Sequence, residues 1–260
     1  MYALAAGLVA LAAGPMVWLV FGAFGSAEED LGGVPARWTL EHVRMVWFDL
    51  DLFEAVWNSI LVTLGRAGLN VVLAALAAYP LARMRFRGRE TLFLLILATM
   101  MVPEQVIVVP MFSIVVGLGW YDTLMALIVP GSVSAFGVYL CRQAFAAIPD
   151  DVEEAALIDG ASSLRVWWSV MLPLAAPTLA TLAVFSVIGA WSELLWPLVV
   201  LKSSENFTLP IRINELMGQF STNIRLAYAA SVLALVPIVV FFLASQRWLK
   251  PNIFAGAVKG

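Results

Sequence analysis

Histidine and cysteine are almost missing from this chain, which has one of each, His42 and Cys141. A lone cysteine gives no internal disulfide framework, and a lone histidine cannot complete a paired-ligand metal site. With one histidine and no nearby partner there is also no Ser-His-Asp arrangement. Cys141 lies in an apolar run and reads as a small buried residue, whereas His42 stands in an acidic stretch and is assigned no role. No glycine-rich loop ending in Lys-Ser or Lys-Thr occurs, so the chain lacks the usual means of holding and hydrolysing ATP. Charge is scarce too, at 13% of residues against about 25% in soluble domains. The net charge of -3 comes without the basic stripe of a nucleic-acid binder. No cofactor is expected, and the chain is not expected to be an enzyme by itself.

Apolar residues fill the space that charge leaves. They make up 62% of the sequence, and the mean hydropathy is +0.92. Such a fraction exceeds what one soluble core can hide. The charges also fall in short clusters between long neutral runs, as a bilayer imposes. A helix needs about 20 mostly apolar residues to cross the hydrocarbon core, where free backbone amides find no partner. Six windows pass this test, at 3–24, 56–80, 92–116, 123–145, 174–200 and 228–248. The first has small residues after it, Gly25-Ser26-Ala27, as a secretion signal would. Its apolar stretch is nonetheless too long for a signal core and no Lys or Arg precedes it, so it reads as a retained span. The expected fold is an all-α membrane protein of six transmembrane helices, forming a single domain over residues 1–260.

Basic residues near span ends mark the cytoplasmic side. With the amino terminus inside, nine of them face the cytoplasm and five face outward. The Arg83, Arg85, Arg87 and Arg89 cluster carries most of that bias. Both termini are therefore expected to be cytoplasmic, and the acidic segment 28–54 faces outward. Pro15, Pro80, Pro103, Pro110, Pro130, Pro197 and Pro237 fall in or at the ends of spans, where neighbouring helices can re-satisfy freed carbonyls and a kink results.

One cytoplasmic loop, 148–173, differs from the others. The stretch from Asp150 to Gly160 predicts a short helix, with Asp150 as cap, Glu153 completing a capping box and Gly160 ending it. Ala155 and Ala156 present little bulk, while Val152, Leu157 and Ile158 leave apolar area on a segment that should be wet. An acidic polar face does not suit a helix lying on the membrane surface. Docking against a protein partner fits better.

Several fragments now combine. Glu154-Ala155-Ala156, Asp159-Gly160-Ala161, Leu172-Pro173 and Pro177 resemble the "EAA" loop of permease subunits in binding-protein-dependent ABC importers, in particular the maltose-type carbohydrate permeases. The likeness runs nearly end to end, through Asn58-Ser59, Ala78-Tyr79-Pro80-Leu81-Ala82-Arg83, Met101-Val102-Pro103, Trp191 with Glu193, and the terminal Gly256-Ala257-Val258-Lys259-Gly260. The resemblance implies a multi-pass subunit of a bacterial or archaeal cytoplasmic membrane that moves a sugar or small polyol inward by alternating access. It implies three protein partners: a second homologous permease, a cytoplasmic ABC ATPase dimer and an extracytoplasmic solute-binding protein. It further implies that Glu154, Ala155, Ala156, Asp159 and Gly160 form a coupling helix seated in the ATPase, which Lys259 also reaches. Two departures stand out: this chain has Trp191-Ser192 where relatives often have Trp-Asn, and it begins almost inside the first span, before which most relatives carry a basic stretch, so a start upstream of Met1 stays open.

Charges inside a span cost roughly 2.5–3.5 kcal/mol at mid-depth, so they face a cavity or a partner. Asn58, Arg66, Trp191 and Glu193 are therefore candidates for the translocation path. For Arg66 an interhelical ion pair is the preferred reading, and for Glu193 a lining role. Glu104, after Pro103, is expected beside a helix break. Trp120 and Tyr121 suggest the outer interface, while Trp167 and Trp168 suit either the inner interface or packing within the loop. Two rival functions stay open, an ion-coupled secondary transporter and a membrane scaffold; the first would need an internal inverted repeat, and none is visible.

Overall fold

Proline and glycine decide where the apolar segments break. The computed structural model describes residues 2–26, 33–219 and 223–255. Helix α1 covers Tyr2–Phe24, and the short α2, Glu41–Arg44, runs into a π-type turn at Met45–Asp49. Helix α3, Leu52–Arg83, has 32 residues, about 48 Å at 1.5 Å per residue and ample for a core of about 30 Å. It tolerates Pro80 because that residue lies in its last turn.

The window 92–116 is not one straight span. Helix α4, Arg89–Thr99, and helix α5, Glu104–Gly117, meet at 99°. Pro103 has no amide hydrogen and an extended backbone, and the residues before it close α4 with tightened turns, Met100 N–H to the Leu97 carbonyl at 3.0 Å and Met101 to Ala98 at 3.1 Å. The window 123–145 is bent as well, by 44°. Helix α6, Met125–Ile128, passes into a 3-10 turn at Pro130–Ser132 before helix α7, Ala135–Ala146.

Helix α8, Asp150–Ile158, precedes α9, Ser163–Val166, a π-type turn at Trp167–Met171 and α10, Leu172–Ser192. The last three make one apolar helix, Ser163–Ser192. This corrects the expected boundaries: the span begins about ten residues before 174 and absorbs the end of the 148–173 loop. It also ends early, because Glu193 is extended and separates α10 from α11, Leu195–Val200. Helix α12, Leu209–Gln219, and α13, Ile224–Ala255, complete the order. Among the described residues there is no strand, only an isolated bridge between Gly25 and Trp38. Among the described residues three helices are long and apolar enough to span a membrane, and up to five spans result if each bent pair counts as one.

The chain divides into two compact units, Met1–Ile60 with Leu201–Phe241, and Leu61–Val200 with Phe242–Gly260. In the first, α1 packs on α2 and the Phe21 ring stands edge-on to Trp38 at 5.8 Å. Asn58 donates from Nδ2 to the carbonyls of Glu205, at 2.7 Å, and Phe207, at 3.1 Å. Ser59 Oγ accepts the Leu209 amide at 2.7 Å, so neighbouring side chains fasten the turn before α12.

The second unit holds the main core. Ala74, Ala75 and Ala78 give α3 a narrow face, which lets other backbones approach closely, as membrane helices require. Against it pack Val138, Cys141 and Phe145 of α7, Trp167 and Met171 of the π-type turn, and Leu182 of α10. Trp167 is buried while Trp168 is exposed, so only the first serves packing. Arg142 fastens α7 to α3 and α4: its Nε donates to the Leu81 carbonyl at 3.1 Å, its Nη2 to both Glu90 oxygens at 2.9 and 3.0 Å, and its guanidinium lies 3.9 Å from the Phe93 ring centre.

Candidate functional site

Two places in the second unit gather the residues singled out above. The first is α8. Its amino end differs from the expected capping box. Pro149 occupies the cap with an extended backbone and offers no side-chain bond, while Asp150 is already helical. The reason is that the Asp150 and Glu153 carboxylates have other partners: Asp150 pairs with Arg83, and Glu153 accepts the Tyr79 hydroxyl at 2.8 Å. Asp150, Asp151 and Glu153 still suit the positive end of the helix dipole. The carboxyl end matches expectation. Gly160 takes φ +82°, its amide donates to Leu157 O at 3.0 Å, and the Ala161 amide donates to Ala156 O at 3.1 Å. These two bonds form a Schellman motif, whose left-handed residue favours glycine.

No residue of α8 is buried. Glu154, Ala155 and Asp159 are exposed, as are Val152, Leu157 and Ile158, the last at 85%. Ala156 alone rests against the core, together with Ala161 beyond the turn. Leu164 and Trp168 add exposed apolar area a few residues on. Lys259 lies outside the described residues.

The second place is a polar cavity among broken helices. Arg66, in mid-α3, donates from Nε to the Gly131 carbonyl at 2.8 Å and from Nη1 to Glu193 Oε2. One turn later Asn70 Nδ2 donates to the Ser132 carbonyl at 3.0 Å, and its Oδ1 accepts Ser186 Oγ at 3.2 Å. Thus two α3 side chains satisfy the carbonyls freed where Pro130 and Gly131 interrupt the bent pair, the condition for irregular backbone at membrane depth. Gly131 is needed there because a Cβ would meet the Arg66 guanidinium, with Cζ only 2.6 Å away. The Trp196 indole serves α6 likewise, donating to the Ala126 carbonyl at 2.9 Å.

The space beside the pair is about 130 Å³, lined by Arg66, Glu104, Met111, Gly131, Glu193 and Trp196. An adjoining space of about 200 Å³ is lined by Arg66, Asn70, Glu104, Ser134 and Ser186, among others. Arg66 and Glu193 thus pair and also line the cavity, each about one-fifth exposed. Glu104 opens α5 beside the 99° break and reaches both spaces. Trp191 sits half-buried in the last turn of α10. Asn58 belongs to the other unit, where its amide is spent on Glu205 and Phe207. Among the described residues no cluster of histidine, cysteine or carboxylates could hold a metal ion. The cavity can offer hydrogen bonds of both polarities to a hydroxylated solute, and nothing in it resembles a nucleophile with its base.

Residues 70–255, which include α8 and most of the cavity, match the model of the binding-protein-dependent transport system inner membrane component. The chain belongs to that family. It is 33% identical to the arabinooligosaccharides transport system permease protein AraQ of Halalkalibacterium halodurans, over 87% of this chain and 81% of that one. It is 35% identical to the inner membrane ABC transporter permease protein YcjP of Escherichia coli, over 87% of this chain and 82% of that one. A bacterial ABC transporter involved in the import of the acidic polysaccharide alginate has a chain of the same fold, with TM-score 0.84 at 24% identity, covering 96% of this chain and 95% of that one. This inner membrane component is therefore a multi-pass membrane protein with the architecture of ABC permeases, a family whose ATPase is a separate subunit.

Tyr79 and Arg83, which hold Glu153 and Asp150 of α8, were not among the site residues expected from the sequence. The sequence shows four arginines at alternating positions from 83 to 89. What sets Arg83 apart is its place in the Ala78-Tyr79-Pro80-Leu81-Ala82-Arg83 fragment, at the end of the alanine face of α3, nine and five residues after Ala74 and Ala78.

Proposed function

We propose that this inner membrane component is one transmembrane subunit of an ATP-driven importer that moves a sugar or related small polyol into the cell by alternating access. The observation that carries the reading is α8, a helix with no buried residue, apolar side chains in the open and both ends fixed, inside the region that matches the family. Such a helix is shaped for a partner, and an ATPase is the partner that supplies what the chain lacks, a phosphate-binding loop. On this reading Glu154, Ala155, Ala156, Asp159 and Gly160 engage the ATPase, and Lys259 adds a contact from the tail. The chain forms one permease domain of six spans, α1 being the sixth, with α8 and both termini in the cytoplasm.

The solute path follows from the second site. Arg66 and Glu193, with Trp191 nearby, line this subunit's share of it, and a second permease supplies the rest. A solute-binding protein delivers from outside, as in the alginate transporter whose crystal structure is a complex with a pentasaccharide-bound periplasmic protein. The sugar assignment rests on relatives named for arabinooligosaccharide, starch degradation product, diacetylchitobiose and lactose transport. Rigid-body closure of the ATPase would push α8 and turn the cavity from inward to outward facing.

Reconstitution in vesicles with and without the ATPase subunit tests the reading. Uptake of labelled arabino-oligosaccharide or lactose that requires ATP and the ATPase supports it, and uptake driven by an ion gradient alone sinks it. Replacing Glu154 and Gly160 together should abolish ATPase association; normal association in that variant refutes the assignment of α8.

A further inference from the structure

We infer that Arg83 is the positioning residue through which the docking helix is joined to the solute cavity, an inference that rests on the reading of α8 given above. Helix α8 is held weakly by packing, since Ala156 and Ala161 are its small contacts with the core. Arg83 provides the firm attachment. Its Nη2 donates to the carbonyl of Phe145, at 2.6 Å, which also accepts the Ile148 amide at 3.2 Å, and to the carbonyl of Ile148, so it fastens the segment between α7 and α8. Its Nη1 pairs with Asp150, and its Nε lies 3.6 Å from Glu153 Oε2. One turn earlier on α3, Tyr79 holds the other Glu153 oxygen and stands edge-on to Phe145 at 6.0 Å.

Burial decides which of these contacts matter. The Asp150 side chain is 82% exposed, so that pair is screened by water and contributes little. The Arg83 side chain is only 7% exposed and Glu153 18%, so the Arg83 carbonyl bonds and the Tyr79–Glu153 hydrogen bond are sheltered and stronger, and the Arg83–Glu153 contact adds a sheltered ion pair without a hydrogen bond. A guanidinium suits the task because its planar fork reaches the α7 carbonyls and the first turn of α8 together, and a lysine ammonium cannot cover all of them. From Arg83 the same helix runs unbroken to Arg66, 17 residues or about 26 Å away. A push on α8 therefore reaches the Arg66–Glu193 pair along one rod, without passing through the non-helical 84–88 segment.

Hydrogen exchange on the purified complete complex tests the inference, with and without a magnesium-bound ATP analogue that is not hydrolysed. In Arg83→Gln, nucleotide-free amide exchange over 150–158 should rise about tenfold, as expected for loss of a sheltered charged hydrogen-bond group. The analogue should still alter exchange in α8, but its effect on residues 61–70 should be lost. Arg83→Lys should recover part of that effect. Tyr79→Phe, which removes one bond only, should raise α8 exchange about threefold and keeps the test open if Arg83→Gln does not fold. Exchange over 150–158 unchanged in both Arg83→Gln and Tyr79→Phe, or a 61–70 response equal to wild type in Arg83→Gln, overturns the inference. Failure of the docking reading shows separately, as wild-type α8 exchange that does not respond to addition of the ATPase subunit.

Discussion

Arg66 and Glu193 form an ion pair between the middle of one apolar helix and the break after another, beside a polar cavity and with the Gly131 carbonyl as a third member. The two residues thus pair with each other and also line that cavity. A half-sheltered pair at the wall of a cavity can exchange its internal hydrogen bonds for bonds to a solute at small cost, because neither charge is ever left without a partner.

Removing one member should hurt more than removing both. Glu193→Gln leaves the Arg66 charge unpaired in a sheltered place and should cost about 1–3 kcal/mol of stability, while the double variant Arg66→Gln with Glu193→Gln should lose less than the sum of the single changes. Thermal unfolding of the four proteins in detergent measures the coupling. Transport by Glu193→Gln with unchanged affinity and rate would remove the residue from the path.

Gly131→Ala should act like a change in Arg66 without touching it. The added Cβ meets the Arg66 side chain, with Cδ 2.8 Å away, and a long flexible arginine yields before backbone does. The expected outcome is loss of the Gly131 carbonyl bond, reduced solute uptake and undiminished association with the ATPase, read by transport and co-purification in parallel.

Gly160→Ala separates backbone strain from crowding. Nothing lies within 4 Å of an added Cβ, so the penalty is that of φ +82° alone, about 1 kcal/mol for a residue other than glycine. The amides of Gly160 and Ala161, which close α8, should exchange about fivefold faster, with little change in the protein's overall melting temperature.

His42 supplies a pH dependence. It is buried in α2, and its Nδ1 has no hydrogen-bond partner among the described residues. Burial lowers its pKa; neighbouring Glu41 raises it and Arg225 lowers it further, and the net shift is downward. The folded protein therefore favours the neutral ring. Its stabilising contribution is fully present above the ordinary histidine value of about 6.5 and is lost as pH falls from there through the folded value. Melting temperature measured between pH 8 and pH 5 should fall less steeply in His42→Gln than in the wild type.

Much of α8 as a short exposed helix was legible in the linear sequence. Acidic residues, alanines and Gly160 specify a short exposed helix by local rules, since dipole, bulk and positive φ need no distant partner. The capping box was misread because Asp150 and Glu153 have partners on α3, 67 and 74 residues earlier, which local rules cannot see. The break expected at Pro103 is there, whereas the one at Glu193, inside the window 174–200, was not foreseen. Hydropathy reports how much apolar length exists, but the angle at Pro103 and the extended Glu193 depend on which neighbours accept the freed backbone groups.

The sequence by itself determined that this protein is helical and bound to a membrane, because its apolar residues run in stretches of about 20 or more, the length a spanning helix needs and about twice that of a barrel strand. It also determined the family, carried by short motifs whose order survives without coordinates. Only the tertiary structure decided which polar residues meet. Arg66 with Glu193 and Arg83 with Phe145, Ile148 and Asp150 are separated by 62 to 127 positions. Inside a bilayer a buried charge must find a partner somewhere, and that partner is chosen by the packing of helices, which no local spacing records.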